Sequence, residues 1–178
     1  MKHPVATAVA AALALGLVST GALRLALPPP PAPSSVEAVE IGAVWAAALP
    51  DLGGRSQPLA QWRGKVLVLN FWAPWCPPCR REIPGFIRLQ QAYGSRGLQF
   101  VGVALDTPDK VAAYADAAGI PYPLLLGDEA AASLARAAGN HLGGLPYTVV
   151  FDRRGNAVAS HTGALAEERL EDLVKPLL

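Results

Sequence analysis

The sequence predicts an α/β fold in which a central β-sheet is covered by helices on both faces. Two short runs, residues 65–72 and 98–105, are continuously apolar, as is typical of strands buried on both faces. Segments with helical periodicity separate these runs from further strand-like runs, and a hairpin signal and a last helical segment end the chain. Strands that alternate with helices in this order form a sheet with helices packed against it.

Each predicted element follows from a local pattern along the chain. Strands are predicted at residues 44–48, 65–72, 98–105, 124–126, 147–151 and 158–162. Helices are predicted at residues 78–93, 108–118, 129–138 and 166–177, with a helical turn at 59–62. Pro78 and Pro108 suit the first turns of helices, whereas Gly119 and Gly139 suit helix ends. Residues 152–156 contain Asp, Gly and Asn between two strand-like runs, which indicates a hairpin turn.

The beginning of the chain differs in composition from the rest. Lys2 precedes an uncharged run rich in Ala and Leu at residues 5–23, and Arg24 ends this run. A basic start, an apolar run and small residues are typical of a signal peptide, but the run also approaches the roughly 20 residues that cross a bilayer. We therefore expect residues 1–27 to be either a signal peptide or an N-terminal membrane anchor of an exported protein.

A proline-rich segment follows, because residues 28–35 have the sequence PPPPAPSS. Consecutive prolines favour the extended polyproline II conformation, with a rise of about 3.1 Å per residue, so this segment is predicted to be a stiff linker. We expect one folded domain beyond it, at residues 36–178.

Charge and cysteine content exclude several classes of protein. The chain has 15 basic and 14 acidic residues, and a general nucleic-acid binder is not expected at this balance. Without Lys2 and Arg24, the predicted domain keeps 13 basic and 14 acidic residues. Cys76 and Cys79 are the only cysteines, too few for a disulfide-stapled scaffold or a zinc cage made of cysteines. A pair this close in sequence therefore requires a local explanation.

The cysteine pair follows a predicted buried strand and opens a predicted helix. Two residues separate Cys76 from Cys79, so both sulfurs lie on one helical turn, close enough to form a disulfide. Cys76 falls at or beside the N-cap, where the helix dipole favours an anion, and Arg80 and Arg81 add positive charge. A thiolate is the reacting species in thiol–disulfide exchange, so this position suits that chemistry.

Two structural interpretations of the pair compete with the redox interpretation. Cys76 and Cys79 with His141 and His161 would give four zinc ligands, but this spacing matches no zinc-finger pattern. An inert buried pair is the other alternative, and the flanking Trp and Pro residues between a strand and a helix argue against it.

Residues 70–84, NFWAPWCPPCRREIP, resemble the active site of thioredoxin-like proteins. More narrowly, they resemble the TlpA/ResA group of exported thiol–disulfide oxidoreductases, which is related to the redoxin and AhpC/TSA proteins. Asn70 stands where thioredoxin has a buried Asp, and Glu82 and Pro84 complete the Cys-x-x-Glu-x-Pro pattern of the group. Residues 108–126 look like the helix and strand that this group inserts. Over about residues 40–178, the resemblance implies a thioredoxin-like fold, a central mixed sheet flanked by helices with this insertion.

The resemblance also implies catalytic roles. Cys76 is expected to attack a substrate disulfide, and Cys79 to resolve the mixed disulfide. Glu82 lies three residues beyond Cys79 on the same helix. In the group, a Glu at this position adjusts the pKa values of the cysteines and assists proton transfer. Asn70 cannot accept a proton as the Asp of thioredoxin does. The alternative for Glu82 is a first-turn acid that complements the helix dipole.

Three residues are candidates for substrate binding. The cis-proline of the family maps to Pro146, which follows two glycines and a leucine and precedes a predicted strand. The backbone of Leu145 would then pair with an extended segment of the substrate. Trp75, next to the first cysteine, is expected to shape the surface that meets the partner.

The predicted function is that of a thiol–disulfide oxidoreductase on the periplasmic side, free or anchored to the inner membrane. The resemblance implies that it reduces disulfides of partner proteins, for example apocytochromes c during cytochrome c maturation, and is re-reduced by a membrane electron-donor protein. No metal or cofactor is expected.

Two other functions use the same cysteines. A peroxiredoxin-type peroxidase has Thr or Ser three residues before its peroxidatic Cys, where this chain has Ala73. A Cu(I)-binding assembly protein is the second, but such relatives usually space their cysteines one residue wider and add a His.

Overall fold

The computed structural model describes residues 35–178, which form five α-helices and seven strands. The predicted signal or anchor segment and nearly all of the proline-rich linker lie outside these residues. The helices are α1 (Ser35–Ala46), α2 (Pro77–Tyr93), α3 (Pro108–Ala118), α4 (Glu129–Ala137) and α5 (Glu167–Val174). The strands are β1 (Ala48–Pro50), β2 (Ser56–Pro58), β3 (Val66–Trp72), β4 (Leu98–Ala104), β5 (Leu124–Leu126), β6 (Tyr147–Phe151) and β7 (Ala157–Thr162). Of the described helices, none is both long and apolar enough to cross a bilayer.

Five strands form the central sheet, in the order β5–β4–β3–β6–β7. Strands β3, β4 and β5 are parallel, whereas β6 is antiparallel to both β3 and β7. The predicted mixed sheet is therefore confirmed, and α3 and β5 are the predicted helix–strand insertion. In the middle of β3, Asn70 pairs with Gly102 of β4 on one side and with Thr148 of β6 on the other.

The hairpin between β6 and β7 is confirmed at the predicted residues. The Asp152 carboxylate accepts hydrogen bonds from the backbone N–H groups of Arg154 and Asn156, each at 2.9 Å. Gly155 has a φ of +86°, a left-handed conformation that side chains other than glycine rarely adopt. The hydrogen bonds of Asp152 and the left-handed conformation of Gly155 therefore determine the shape of this turn.

The strand predicted at residues 44–48 is wrong. Helix α1 continues to Ala46, and β1 starts only at Ala48. Val44 and Trp45 are both buried, and the Trp45 indole donates a hydrogen bond of 2.8 Å to the Gly155 carbonyl. The Trp45 ring also packs edge-on against Phe151, with 5.1 Å between centroids. These tertiary contacts favour a helix where the apolar run alone suggested a strand.

The sheet separates two hydrophobic cores, and β3 contributes alternately to each. Val66, Val68 and Trp72 pack in the core that α2, α3 and α5 cover. Leu67, Leu69 and Phe71 pack in the core that α1 and α4 cover. Side chains of a strand alternate between faces, so Asn70 points to the side of α2. All seven residues of β3 are buried, which explains the continuous apolar run in the sequence.

Candidate active site

The two cysteines lie where β3 has ended and α2 begins. Cys76 is the N-cap residue of α2, in an extended conformation, and its Sγ accepts a hydrogen bond of 3.3 Å from the Cys79 N–H. The two sulfurs form a disulfide, with 5.3 Å between the Cα atoms. The predicted position at the N-cap, with both sulfurs on one helical turn, is therefore what the structure has.

Trp72 and Trp75, which precede the cysteines in sequence, differ sharply in exposure. Trp72 is 1% exposed and stacks at a tilt on Tyr114 of α3, with 5.3 Å between centroids. The guanidinium carbon of Arg80, an exposed residue, lies 5.5 Å from the centre of the same Tyr114 ring. Trp75, in contrast, is 65% exposed immediately before Cys76. The indole of Trp75 is thus presented to the surroundings beside the first sulfur.

Glu82 is buried in α2, and both of its carboxylate oxygens accept hydrogen bonds. Asn70 Nδ2 donates to Oε1 at 2.9 Å, and the Leu165 N–H donates to Oε2 at 2.9 Å. Burial raises the pKa of Glu82 to about 7, because the loss of solvation opposes the charged form more strongly than the two donors support it. This carboxyl can therefore gain or lose a proton near neutral pH.

Thr148 extends the hydrogen-bond network around Glu82. Its Oγ1 accepts a hydrogen bond of 3.0 Å from the same Asn70 Nδ2 that donates to Glu82. Neither Thr148 nor Leu165 is among the residues predicted from the sequence. Thr148 contacts Asn70 through the register of β3 and β6, and Leu165 acts through its backbone, which leaves no signal in the side chain.

The Leu145–Pro146 peptide bond is cis, as predicted, and it directly precedes β6. Backbone and side-chain hydrogen bonds hold the loop on both sides of this bond. Asn140 Nδ2 donates to the Gly144 carbonyl at 2.9 Å, and the Gly163 N–H donates to the Pro146 carbonyl at 2.8 Å. Leu145 packs against the buried cluster that contains both cysteines and also against the cluster on the other face of the sheet.

A cavity of about 260 Å³ lies beside Leu145, at the end of α4. Arg136, His141 and Leu142 are part of its lining, and Leu142 is 95% exposed. A larger cavity of about 940 Å³ lies between the loops that follow β1, β4 and β5. Leu105 lines both cavities, so they meet at the residue that follows β4. The surface around the loop therefore has concave, partly apolar regions.

The zinc interpretation finds no support in the part of the chain that the structure describes. In residues 35–178, no three or more His, Cys, Asp or Glu side chains are grouped so that they could hold a metal ion. The His161 ring is instead 3.3 Å from the Ala164 carbonyl, and His141 lines the smaller cavity.

Comparison with known proteins identifies the family. Residues 43–160 match the AhpC/TSA family. The chain is 33% identical over 132 residues to the thiol-disulfide oxidoreductase ResA of Halalkalibacterium halodurans, which covers 72% of this chain and 73% of that protein. It is 35% identical over 122 residues to the thiol:disulfide interchange protein HelX of Rhodobacter capsulatus, which covers 65% of this chain and 62% of that protein.

The solved structures agree with this result. A thiol:disulfide interchange protein of the thioredoxin family from Chlorobium tepidum TLS has a TM-score of 0.66 and 31% sequence identity, over 74% of this chain and 92% of that chain. The predicted thioredoxin-like fold is therefore confirmed. The chain belongs to the AhpC/TSA family, and it is a thioredoxin-like thiol–disulfide oxidoreductase.

Proposed function

We propose that this protein is an exported reductase that transfers two electrons from the Cys76–Cys79 pair to a disulfide of a partner protein. The observation that carries the proposal is the disulfide at the N-terminus of α2, which lies between the exposed Trp75 and the buried Glu82. Because both sulfurs lie on one turn of α2, we expect the pair to alternate between dithiol and disulfide without a change of fold.

The reaction needs only thiol–disulfide exchange. The Cys76 thiolate attacks one sulfur of the substrate disulfide, that bond breaks, and the other substrate sulfur leaves as a thiolate. Cys79 then loses its proton and attacks the Cys76 sulfur, which releases the second substrate thiolate. The products are a reduced substrate and the Cys76–Cys79 disulfide that the structure shows. Two electrons reach the substrate, and its two thiolates take up protons.

Glu82 is proposed to receive the proton that Cys79 loses. The two residues are three apart on α2 and therefore neighbours on its surface. Glu82 is 4% exposed and takes its donors from β3 and from the loop before α5. The alternative role for Glu82 is that of a first-turn acid that only complements the helix dipole. Such an acid would be solvated, whereas Glu82 is buried. With a pKa of about 7, the carboxyl is present in both protonation states at neutral pH.

The partner is proposed to bind across Trp75 and the loop at Pro146. Among the described backbone hydrogen bonds outside regular helices and strands, none involves the N–H or carbonyl of Leu145. These two groups are therefore able to pair with an extended segment of the substrate, as a strand added to a sheet edge does. The exposed Trp75 supplies apolar contact area, and the cavity beside Leu145 offers room for a side chain of the partner.

The proposal of export is based on the first residues of the chain, and the proposed substrate and electron donor are based on the family resemblance. Lys2 and the apolar run at residues 5–23 have the pattern of a signal peptide or membrane anchor. In an oxidising compartment the pair stays reduced only if electrons are supplied, for which we propose a membrane electron-donor protein. Apocytochrome c, with its pair of haem-attachment cysteines, is the substrate that the resemblance implies.

Trapping of mixed disulfides tests the proposal. Cys79→Ala, expressed as the full chain in its own host, is expected to accumulate covalent adducts between Cys76 and its partners in the periplasmic fraction. Cys76→Ala and the double variant are the matched controls and are expected to trap nothing. Absence of adducts, or recovery of the same adducts without Cys76, would overturn the proposed reaction. Adducts found only in the cytoplasm would overturn export.

A further inference from the structure

Asn70, Glu82 and Thr148 form a closed polar group inside an apolar core. They are three of the four buried polar or charged residues in the described part of the chain. Asn70 is the centre of the group, because one atom of its side chain, Nδ2, contacts both Glu82 Oε1 and Thr148 Oγ1. The fourth partner is the Leu165 N–H, which donates to Glu82 Oε2.

The hydrogen bonds of this group fit an ionised Glu82. A carboxylate only accepts hydrogen bonds, so a donor must face each oxygen. Asn70 Nδ2 has two hydrogens, and it gives one to Glu82 and one to Thr148. The Thr148 hydroxyl acts as an acceptor in this state. Three hydrogen bonds therefore hold the ionised group.

The same side chains also fit a protonated Glu82 if the Asn70 amide turns by half a rotation. Oδ1 then takes the place of Nδ2, and its two lone pairs accept hydrogen bonds from the Glu82 O–H and the Thr148 O–H. The Leu165 N–H keeps its bond to Glu82 Oε2, which leaves Oε1 as the oxygen that carries the proton. Three hydrogen bonds again hold the group, with the direction of two of them reversed.

We propose that Asn70 is a positioning residue that turns its side-chain amide whenever Glu82 gains or loses its proton, while the Thr148 hydroxyl reverses from acceptor to donor. Glu82 and Thr148 then each keep a hydrogen bond to the Asn70 side chain in both states, and a buried carboxyl left without such a partner would be destabilised. The carboxyl is thus able to exchange a proton without losing its hydrogen bond to Asn70. An Asp at position 70 would not do this, because two neighbouring carboxylates repel each other.

The value of this arrangement for Cys79 rests on the proposed function, but the amide rotation itself does not. In the oxidised protein, both cysteines are in the disulfide and do not titrate. Burial and, to a smaller extent, the charge of Glu82 raise the pKa of Tyr122, so the hydroxyl of Tyr122 stays neutral. His161 pairs with Thr148 across β6 and β7, so His161→Gln serves as the control variant.

Nuclear magnetic resonance on the labelled, oxidised full chain tests the proposal. The Glu82 carboxyl carbon and the Asn70 side-chain amide are followed from pH 5 to pH 9, in the wild type and in His161→Gln. We expect both signals to change with one midpoint. Below this midpoint, the dipolar contacts between the Asn70 amide protons and Thr148 are expected to be lost. Contacts that persist below the Glu82 midpoint would show a fixed amide and overturn the proposal.

Glu82→Gln provides a control that is fixed in the state corresponding to a protonated Glu82. The introduced amide donates to Asn70 Oδ1 while its carbonyl accepts from the Leu165 N–H, so it imitates the protonated carboxyl. We expect the contacts between the Asn70 amide protons and Thr148 to be absent at every pH in this variant. Thr148→Ser keeps a hydroxyl and should keep the wild-type midpoint and the pH-dependent contacts. Contacts present in Glu82→Gln, or lost rotation in a folded Thr148→Ser, would overturn the proposal.

The two proposals fail separately in these experiments. A coupled titration of Glu82 and Asn70 in a protein that forms no mixed disulfides would leave the rotation and overturn the reductase. If the protein forms mixed disulfides but its Asn70 amide does not turn, the reductase proposal stands and the rotation is overturned. If Glu82→Gln does not fold, the wild-type titration and Thr148→Ser still decide the question.

Discussion

Glu82 links the protonation of the site to the stability of the fold. Burial raises its pKa from 4.5 to about 7, so the folded protein holds a proton that the unfolded chain releases between these pH values. The contribution of this group to stability is therefore complete below pH 4.5 and is lost as the pH rises through 7. Near neutral pH, the site thus operates where this residue has lost most of its stabilising effect.

Glu82→Gln should remove this pH dependence. We expect the oxidised wild type to lose on the order of 3 kcal/mol of unfolding free energy relative to the variant as the pH rises from 4.5 to above 7. Urea denaturation of both proteins at pH 4.5 and pH 8 measures the difference, and other titrating groups cancel in the comparison. Parallel pH profiles of the two proteins would contradict the assignment.

Trp75 is exposed, so its replacement separates partner binding from stability. We expect Trp75→Ala to change the unfolding free energy by less than about 0.5 kcal/mol. The same variant should reduce a protein disulfide about fivefold more slowly, equivalent to roughly 1 kcal/mol, yet reduce a small-molecule disulfide at the wild-type rate. Val158→Ala, at another exposed apolar residue on β7, is the control. Equal slowing with both substrates would indicate damage to the cysteines instead.

Strand β4 fits tightly at Gly102 between its two neighbouring strands, β3 and β5. A Cβ at Gly102 would lie 2.7 Å from Leu124 Cδ2 and 2.9 Å from Trp72 Nε1, both closer than side chains tolerate. We expect Gly102→Ala to destabilise the protein by about 1–3 kcal/mol through overpacking. Gly42→Ala in α1 is the matched control, since nothing lies within 4 Å of its Cβ, and helix propensity favours Ala. Urea denaturation that ranks the two variants equally would contradict this packing argument.

The elements also show what could be predicted from the sequence. Strand β3 was predictable because burial on both faces leaves a continuous apolar run, and the cysteine junction was predictable because residues 70–84 hold its whole pattern. Helix α1 was not, since the contact of Trp45 with Gly155 spans 110 residues of chain. The bond between Asn70 and Thr148 spans 78 residues, and only the register of β3 and β6 creates it.

The molecule as a whole draws its site from distant parts of the chain. Strand β3, helix α2, strand β6 and the loop before α5 each supply one partner of the buried network, and the sheet fixes their mutual positions. Asn70, the cysteines and Glu82 lie within one local motif at residues 70–84, whereas Thr148 and Leu165 are distant in sequence. The raised pKa of Glu82 therefore depends on the complete fold.

Net charge gives a prediction about association. The predicted domain has 13 basic and 14 acidic residues, so no strong long-range field attracts or repels a partner. We expect the rate of exchange with a protein disulfide to vary less than about threefold between low and high salt concentration. The same series with a neutral small-molecule disulfide accounts for the effect of salt on the thiols. A steep fall with salt for the protein substrate alone would show that charge, and not the shape around Trp75 and Pro146, governs binding.

The central claim is that Cys76 reacts first and Cys79 resolves the mixed disulfide. The direct measurement mixes reduced wild type, Cys79→Ala and Cys76→Ala with one equivalent of a protein disulfide, stops the reaction with acid and identifies the products by mass spectrometry. We expect Cys79→Ala to accumulate one adduct through Cys76, and the wild type to proceed to the Cys76–Cys79 disulfide and reduced substrate. Cys76→Ala should form no adduct over the same time. An adduct in Cys76→Ala at the rate of Cys79→Ala, or a wild type that ends without the internal disulfide, would contradict the account.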